Sequence, residues 1–243
     1  SELTPVPQIR SDQLRFASEP GVEVGGKLYT PNGSGRKPAV LLIADQPQPV
    51  PLHVIKSPST SALAQALVRA GRVVFEFQPR ESPSDNDGRP FLGDWLANER
   101  ADQIGRNLPA MRAHDILRAV DLLSARPDVD PQSIRAVARG VKGIWVLLAA
   151  AVDPRIQKVW LDRTPYSIQA SLHAPLGLNL WDAAIPGFAL HWDLQDLVTA
   201  MGDRQVFWTD PTNWMDAVMP LGPRYVYRTV RQEDDALIAQ FLQ

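Results

Sequence analysis

The sequence contains no cysteine. Disulfides, thiolate metal sites and a cysteine nucleophile are thereby excluded together. The compartment is not decided by that absence, because 243 residues build a core large enough to dispense with disulfides in any environment. There is no cationic excess. Lys and Arg number 25 against 27 Asp and Glu, for a net charge of -2, so nucleic acid is not an expected partner. No apolar run reaches the ~18–20 residues of a membrane span, and no membrane partner is expected either. Neither HExxH nor a paired-histidine spacing is present, and no metal or cofactor is expected. The glycine-rich, basic stretch Gly33-Ser34-Gly35-Arg36-Lys37 precedes a strand instead of opening a helix, which argues against a phosphate cradle. The chain opens at Ser1 without a charged-then-apolar leader. It reads as a processed, trimmed or excised form, with a secreted or periplasmic setting favoured over a cytoplasmic one.

What is present is an ordinary globular balance, 44% hydrophobic and 21% charged, with short β-rich runs alternating with helical ones. Residues 13–16 and 22–29 read as antiparallel edge strands, closed by the turn signal at 31–35. The continuous apolar run 39–44 suits a strand covered on both faces, as do 72–77, 134–138, 157–161, 205–209 and 224–229. Thr60 is placed to cap a helix that carries Leu63, Leu67 and Val68 and ends at Gly71. Over 109–126, Ala113, Ile116, Leu117, Val120 and Leu123 share one helical face, with Arg112, Asp115 and Arg118 elsewhere. Residues 143–152 are apolar all round, as in a helix packed centrally on a sheet, and 193–201 and 233–242 complete the helices. Strand–helix–strand order predicts an α/β fold: a mostly parallel sheet of about eight strands with helices on both faces. Two stretches break the rhythm, the proline-rich 45–58 and the polar 78–108, whose length suits a lid or a binding surface. Residues 1–20 are assigned as an N-terminal extension with the first edge strand, and 21–243 as one domain, alone or within a longer multidomain chain.

Five segments carry a family resemblance. VEVGGKLYTPNGSGRKPAVLLIA, LVRAGRVVFEFQPR, MRAHDILRAVDLLSARPDVDPQSI, AAAVDPRIQKVWLD and DLQDLVTAMGDRQVFWTDPTN resemble, in order and spacing, segments of α/β-hydrolases of the acetyl xylan esterase and dienelactone hydrolase type. The likeness runs across roughly residues 20–230. It implies the α/β-hydrolase fold and carboxylic ester hydrolysis by a nucleophile on a G-x-S-x-G elbow, followed along the chain by an acid and a histidine. Such chemistry needs a base to take the hydroxyl proton, a carboxylate to orient the base, and two N–H groups for the oxyanion.

This chain departs from that pattern. Its elbow segment reads Ala138-Arg139-Gly140-Val141-Lys142-Gly143, without Ser, Thr or Cys. The alignment places Gly140 at the nucleophile position, where glycine takes the strained elbow backbone without penalty. Lys142 stands where the family prefers a small residue for close helix–strand approach. The base position falls at Arg231, and no histidine follows His191. The acid position falls at Asp210, which Asp-Pro turn chemistry also explains. After the strand at 39–44 the oxyanion segment reads Asp45-Gln46-Pro47-Gln48-Pro49-Val50-Pro51, and each proline removes a backbone donor.

Other candidate residues have plainer roles. Asp193 in His191-Trp192-Asp193 reads as a helix N-cap. His114-Asp115 reads as the polar side of a helix. Asp85-Asn86-Asp87-Gly88 lacks the downstream Glu of a calcium loop and reads as a turn. A layout built on Ser167 or Ser171 with His173 would be unrelated to the family's. Trp145 and Trp160 should be buried. Trp95, Trp181, Trp208 and Trp214 lie in or beside predicted loops, where Trp95, Trp181 and Trp214 are candidates for stacking on a sugar ring. Arg80, Arg139 and Arg231 fall at strand ends, where a cluster would bind a carboxylate such as an acidic sugar. The expectation is an esterase-like domain without its own triad. It would act as an accessory or polysaccharide-binding unit, partnered by a catalytic domain of the same chain. An active ester hydrolase with an unconventional site and a protein-interaction module are the alternatives.

Overall fold

The computed structural model describes residues 9–44, 60–81, 93–175, 177–227 and 234–243. Among the described residues, seven strands, β1 (Arg10–Glu19), β2 (Val22–Thr30), β3 (Lys37–Ile43), β4 (Val73–Gln78), β5 (Val129–Arg139), β6 (Ile156–Asp162) and β7 (Gln205–Thr209), form one sheet in the order β1-β2-β4-β3-β5-β6-β7. β1 and β2 are antiparallel at one edge, and β2 is antiparallel to β4. All pairs from β4 to β7 are parallel. The expected strand at 224–229 appears, within its described part, as a bridge between Val226 and Thr209.

Burial alternates along the strands because adjacent side chains point to opposite faces. Leu41, Ile43, Phe75, Phe77, Ala136 and Ala138 pack with α3 (Leu108–Ser124), α4 (Lys142–Val152) and α6 (Leu194–Ala200). Val40, Leu42, Val74, Val137 and Trp160 pack on the other face with α1 (Thr60–Arg69) and α7 (Asp234–Leu242). Both faces are thus covered, which explains the continuous apolar runs of the central strands. Pro109 sits in the first turn of α3, whose N-terminus is capped by the Asn107 side chain accepting from the Ala110 amide.

Several expectations need correction. α3 buries more than its apolar stripe: Arg112 and Asp115, expected on its polar side, are 4% and 0% exposed. The reason is that two carboxylate-bearing segments and the end of β4 fold over that side and provide partners. Trp208 lies within β7 and is buried. A polar helix, α2 (Trp95–Gln103), occupies part of the 78–108 excursion; its sequence carries no helical apolar stripe from which it could be read. Between β6 and α6 the chain forms two 3-10 turns, Gln169–His173 and Leu180–Asp182, and the one-turn helix α5 (Phe188–His191).

Gly143 is the tightest point of the layering. A Cβ there would overlap Thr164 Oγ1 and lie 2.8 Å from Thr164 Cγ2, and Thr164 is completely buried. Gly143→Ala should therefore destabilise the fold by about 1–3 kcal/mol, read as a lower midpoint in urea with an unchanged m-value.

Candidate functional site at the carboxyl edge of the sheet

β5 ends at Arg139, and the chain reverses into α4 through Gly140, whose φ is +60°. The Gly140 amide donates to Asp162 O (2.8 Å), and its carbonyl accepts from the Gly143 amide (3.0 Å). A Cβ at Gly140 would meet no atom within 4 Å. Lys142 does not loosen the turn. Its Nζ donates to Ala44 O at the end of β3 (2.5 Å), while close helix–strand contact is provided one residue later by Gly143.

Asp162, at the end of β6, was not singled out from sequence and lies at the centre of the polar contacts around the elbow. One carboxylate oxygen accepts from Arg139 Nε (2.7 Å) and the other from Thr209 Oγ1 (2.8 Å). Thr209 in turn accepts from Trp160 Nε1 (2.9 Å). Asp210 follows β7, buried and in the left-handed region at φ +44°, and its amide donates to Val226 O (2.8 Å). Aspartate tolerates that backbone better than most residues. Asp210 lies just past β7, at the same carboxyl edge of the sheet as Gly140.

The described histidines lie elsewhere. His114 Nδ1 is 3.4 Å from Ser18 Oγ, and His173 and His191 are exposed. Ser167 Oγ donates to Asp193 Oδ2 (2.5 Å), so its hydroxyl is bonded to a carboxylate and not to His173. Asp193 caps α6 with a reciprocal capping box through Asp196, in line with its reading as a helix entry. Arg231, residues 45–51, His53 and the Asp85–Gly88 turn lie outside the described residues.

The expected convergence of arginines is not what Arg80 does. Its Nε and Nη2 donate to Asp115 (2.9 and 2.6 Å), Nη2 also meets Glu19 (2.5 Å), and its side chain is 8% exposed. Arg106 shares Glu19 (2.8 Å). The hydrogen bonds from Arg106 and Arg80 hold the Glu19 carboxyl down at about 2. Arg80 is thus committed to tying β1, β4 and α3 together and leaves no open fork for a ligand. Arg139 lies apart from it, on Asp162. Trp214 also departs from expectation: it is 1% exposed and donates from Nε1 to Ser167 O (2.7 Å), so it offers no face to a sugar.

Trp95 and Trp181 are half-buried and flank a second charged cluster. Arg112 Nη1 donates to Asp182 Oδ1 (2.5 Å) and Nη2 to Asp94. Its guanidinium lies 4.5 Å from the Trp145 ring centroid, and Trp145 Nε1 donates to Asp182 O (2.6 Å). Asp94 precedes α2, Asp182 ends a 3-10 turn, Arg112 is on α3 and Trp145 on α4. One arginine therefore fastens the two tryptophan-bearing segments to the helices beside the elbow. Burial raises the Asp182 carboxyl to about 6, against the pull of Arg112 and helped by the neighbouring Asp94 charge.

No family model matches the chain. The uncharacterized protein PA2218 of Pseudomonas aeruginosa is 26% identical over 156 residues, which are 63% of this chain and 36% of that protein. The chain thus spans about a third of the length of the curated relative it matches. Among solved structures, a putative acetyl xylan esterase of Bacteroides fragilis superposes with a TM-score of 0.66 at 14% identity, over 86% of this chain and 63% of that one. An acetyl xylan esterase from Paenibacillus sp. R4 gives 0.62 at 14%, over 100% and 86%. The crystal structure of PA2218 gives 0.58 at 16%, over 96% and 93%. The class defined is the α/β-hydrolase fold. The acetyl xylan esterases named above share that fold with this chain.

The Asp182 carboxyl, raised in the fold, binds a proton more tightly there than in the unfolded chain. Its contribution to stability is complete below about pH 4 and is lost as pH rises through about 6. Asp182→Asn should remove this falling component, a slope approaching about 1.4 kcal/mol per pH unit. Urea titrations of both proteins between pH 4 and 7 measure the difference.

Proposed function

We propose that this chain is an acetyl-xylan-esterase-like α/β-hydrolase domain that lacks its own Ser–acid–His triad and serves as a non-catalytic, carbohydrate-binding accessory unit, in a secreted or periplasmic setting. The observation that carries this reading is Gly140: the left-handed turn of an elbow with free space where a nucleophile's side chain would stand, and a hydrogen atom in its place. A polysaccharide or an acidic sugar is the ligand class favoured. Support comes from the half-buried Trp95 and Trp181 on segments held beside the elbow, and from Arg139, whose side chain is 21% exposed there. Among the described residues, no helix is long and apolar enough to cross a membrane. A catalytic domain on the same polypeptide is the partner this role calls for.

One observation favours a second reading, an ester hydrolase with an unconventional site. Asp210, aligned by sequence with the family's acid, is buried just past β7 at the same sheet edge as Gly140, where a carboxylate could activate water.

The two separate in an assay. The purified chain should hydrolyse 4-nitrophenyl acetate no faster than buffer, whereas turnover abolished by Asp210→Asn would establish the second reading. In affinity electrophoresis, xylan or pectin should retard the protein, and Trp181→Ala should weaken that binding about tenfold. Unretarded migration in both polysaccharides would remove the carbohydrate-binding role.

A further inference from the structure

On the sheet face covered by α7, three cations have no described carboxylate as an ion-pair partner. Arg135 and Lys158 are register partners on β5 and β6 and share a face with Val137 and Trp160. Arg72 immediately precedes β4 and has the parity of Val74 on that same face. This is the amino-terminal half of the parallel strands. Arg135 lies five residues before Gly140, about 16 Å along the strand.

The acceptors these cations have are neutral. Arg135 Nη1 donates to Phe241 O, and Lys158 Nζ lies 3.5 Å from Gln240 O. Both also approach the Phe241 ring, at 5.5 and 5.7 Å from its centroid. The carboxyl end of α7 therefore offers them partial charge and π density, but no full negative charge. Arg72 Nε is buried with no acceptor. None of the three forms an ion pair with a described Asp or Glu. Burial opposes the charge of each, the Arg72 charge further opposes that of Arg135, and the Arg135 charge that of Lys158. The two arginines beside α3 are matched by contrast: Arg80 by Asp115 and Glu19, Arg112 by Asp94 and Asp182.

We propose that Arg72, Arg135 and Lys158 form a binding site for a small oxyanion of the phosphate class, at the sheet end remote from the elbow. Two guanidinium groups and an ammonium suit a tetrahedral dianion, with paired N–H donors and charge to match. Arg72 and Arg135 are partly exposed, which gives an entry from solvent, while Lys158 is 8% exposed and forms the floor. The site is independent of the chemistry at Gly140.

Thermal unfolding of the full chain in inorganic phosphate and in chloride at matched ionic strength tests it. The midpoint should rise in phosphate by about 2–4 °C at concentrations well above Kd. Arg72→Gln should lose most of that rise while unfolding in chloride no earlier than the parent, because its Nε relinquishes no hydrogen bond. Arg36→Gln, on the exposed turn before β3, should keep the full rise. Equal midpoints in the two salts, or a full phosphate response in Arg72→Gln, would overturn the assignment. Should Arg72→Gln not fold, calorimetric titration of Lys158→Gln with phosphate decides: affinity lowered at least tenfold supports the site, and undiminished affinity overturns it.

Discussion

A parallel strand can pass directly into a helix packed against its own sheet only by reversing sharply at the sheet's carboxyl edge. At Gly140 this chain does so with a left-handed residue, an amide bonded to Asp162 O and a carbonyl accepting from Gly143. The rest of the carboxyl edge depends on that reversal. It sets α4 against β6 closely enough that residue 143 must be glycine, brings Trp145 to the Asp182 carbonyl, and leaves Asp162 to hold Arg139 and Thr209 beside the bend. The residue at the bend contributes backbone geometry alone, so the shape of this sheet edge does not depend on any side chain at position 140.

The second organising constraint is electrostatic. Arg80 and Arg112 are almost excluded from water, and each is met by two carboxylates drawn from separate parts of the chain. Their arrangement differs in consequence. Glu19 lies between two arginines, and its carboxyl is held far down. Asp182 shares one arginine with another carboxylate in a buried pocket, and its carboxyl is driven up. The same interaction type thus gives an ion pair firm at neutral pH near β1 and a protonation-sensitive one above α3.

The scaffold was legible because it is written in periodicities. Seven of the eight expected strands and the helices over 109–126, 143–152, 193–201 and 233–242 have counterparts in the structure, since continuous apolar runs and 3.6-residue stripes have few other ways to bury themselves. Asp193 was legible as a cap for a local reason: its partners lie within three residues. Arg112, Asp115 and Asp182 were not, because their burial depends on partners 18 to 70 residues away, and no window of sequence contains both ends. Trp214 misled for a related reason. It lies outside any strand or helix, yet the chain around it folds inward and gives its indole N–H a carbonyl. α2 escaped notice because a polar helix stabilised by neighbouring segments leaves no stripe.

The fastening of Arg112 by Asp94 and Asp182 has an evolutionary corollary. Removing the arginine would leave two carboxylates, one of them buried, without their shared cation, and removing either acid would leave the guanidinium half matched. A change at any one of the three therefore acts on the other two, whereas a side chain introduced at Gly140 would find no neighbour within 4 Å at its first carbon. Drift is coupled at the three-residue knot and uncoupled at the bend beside it.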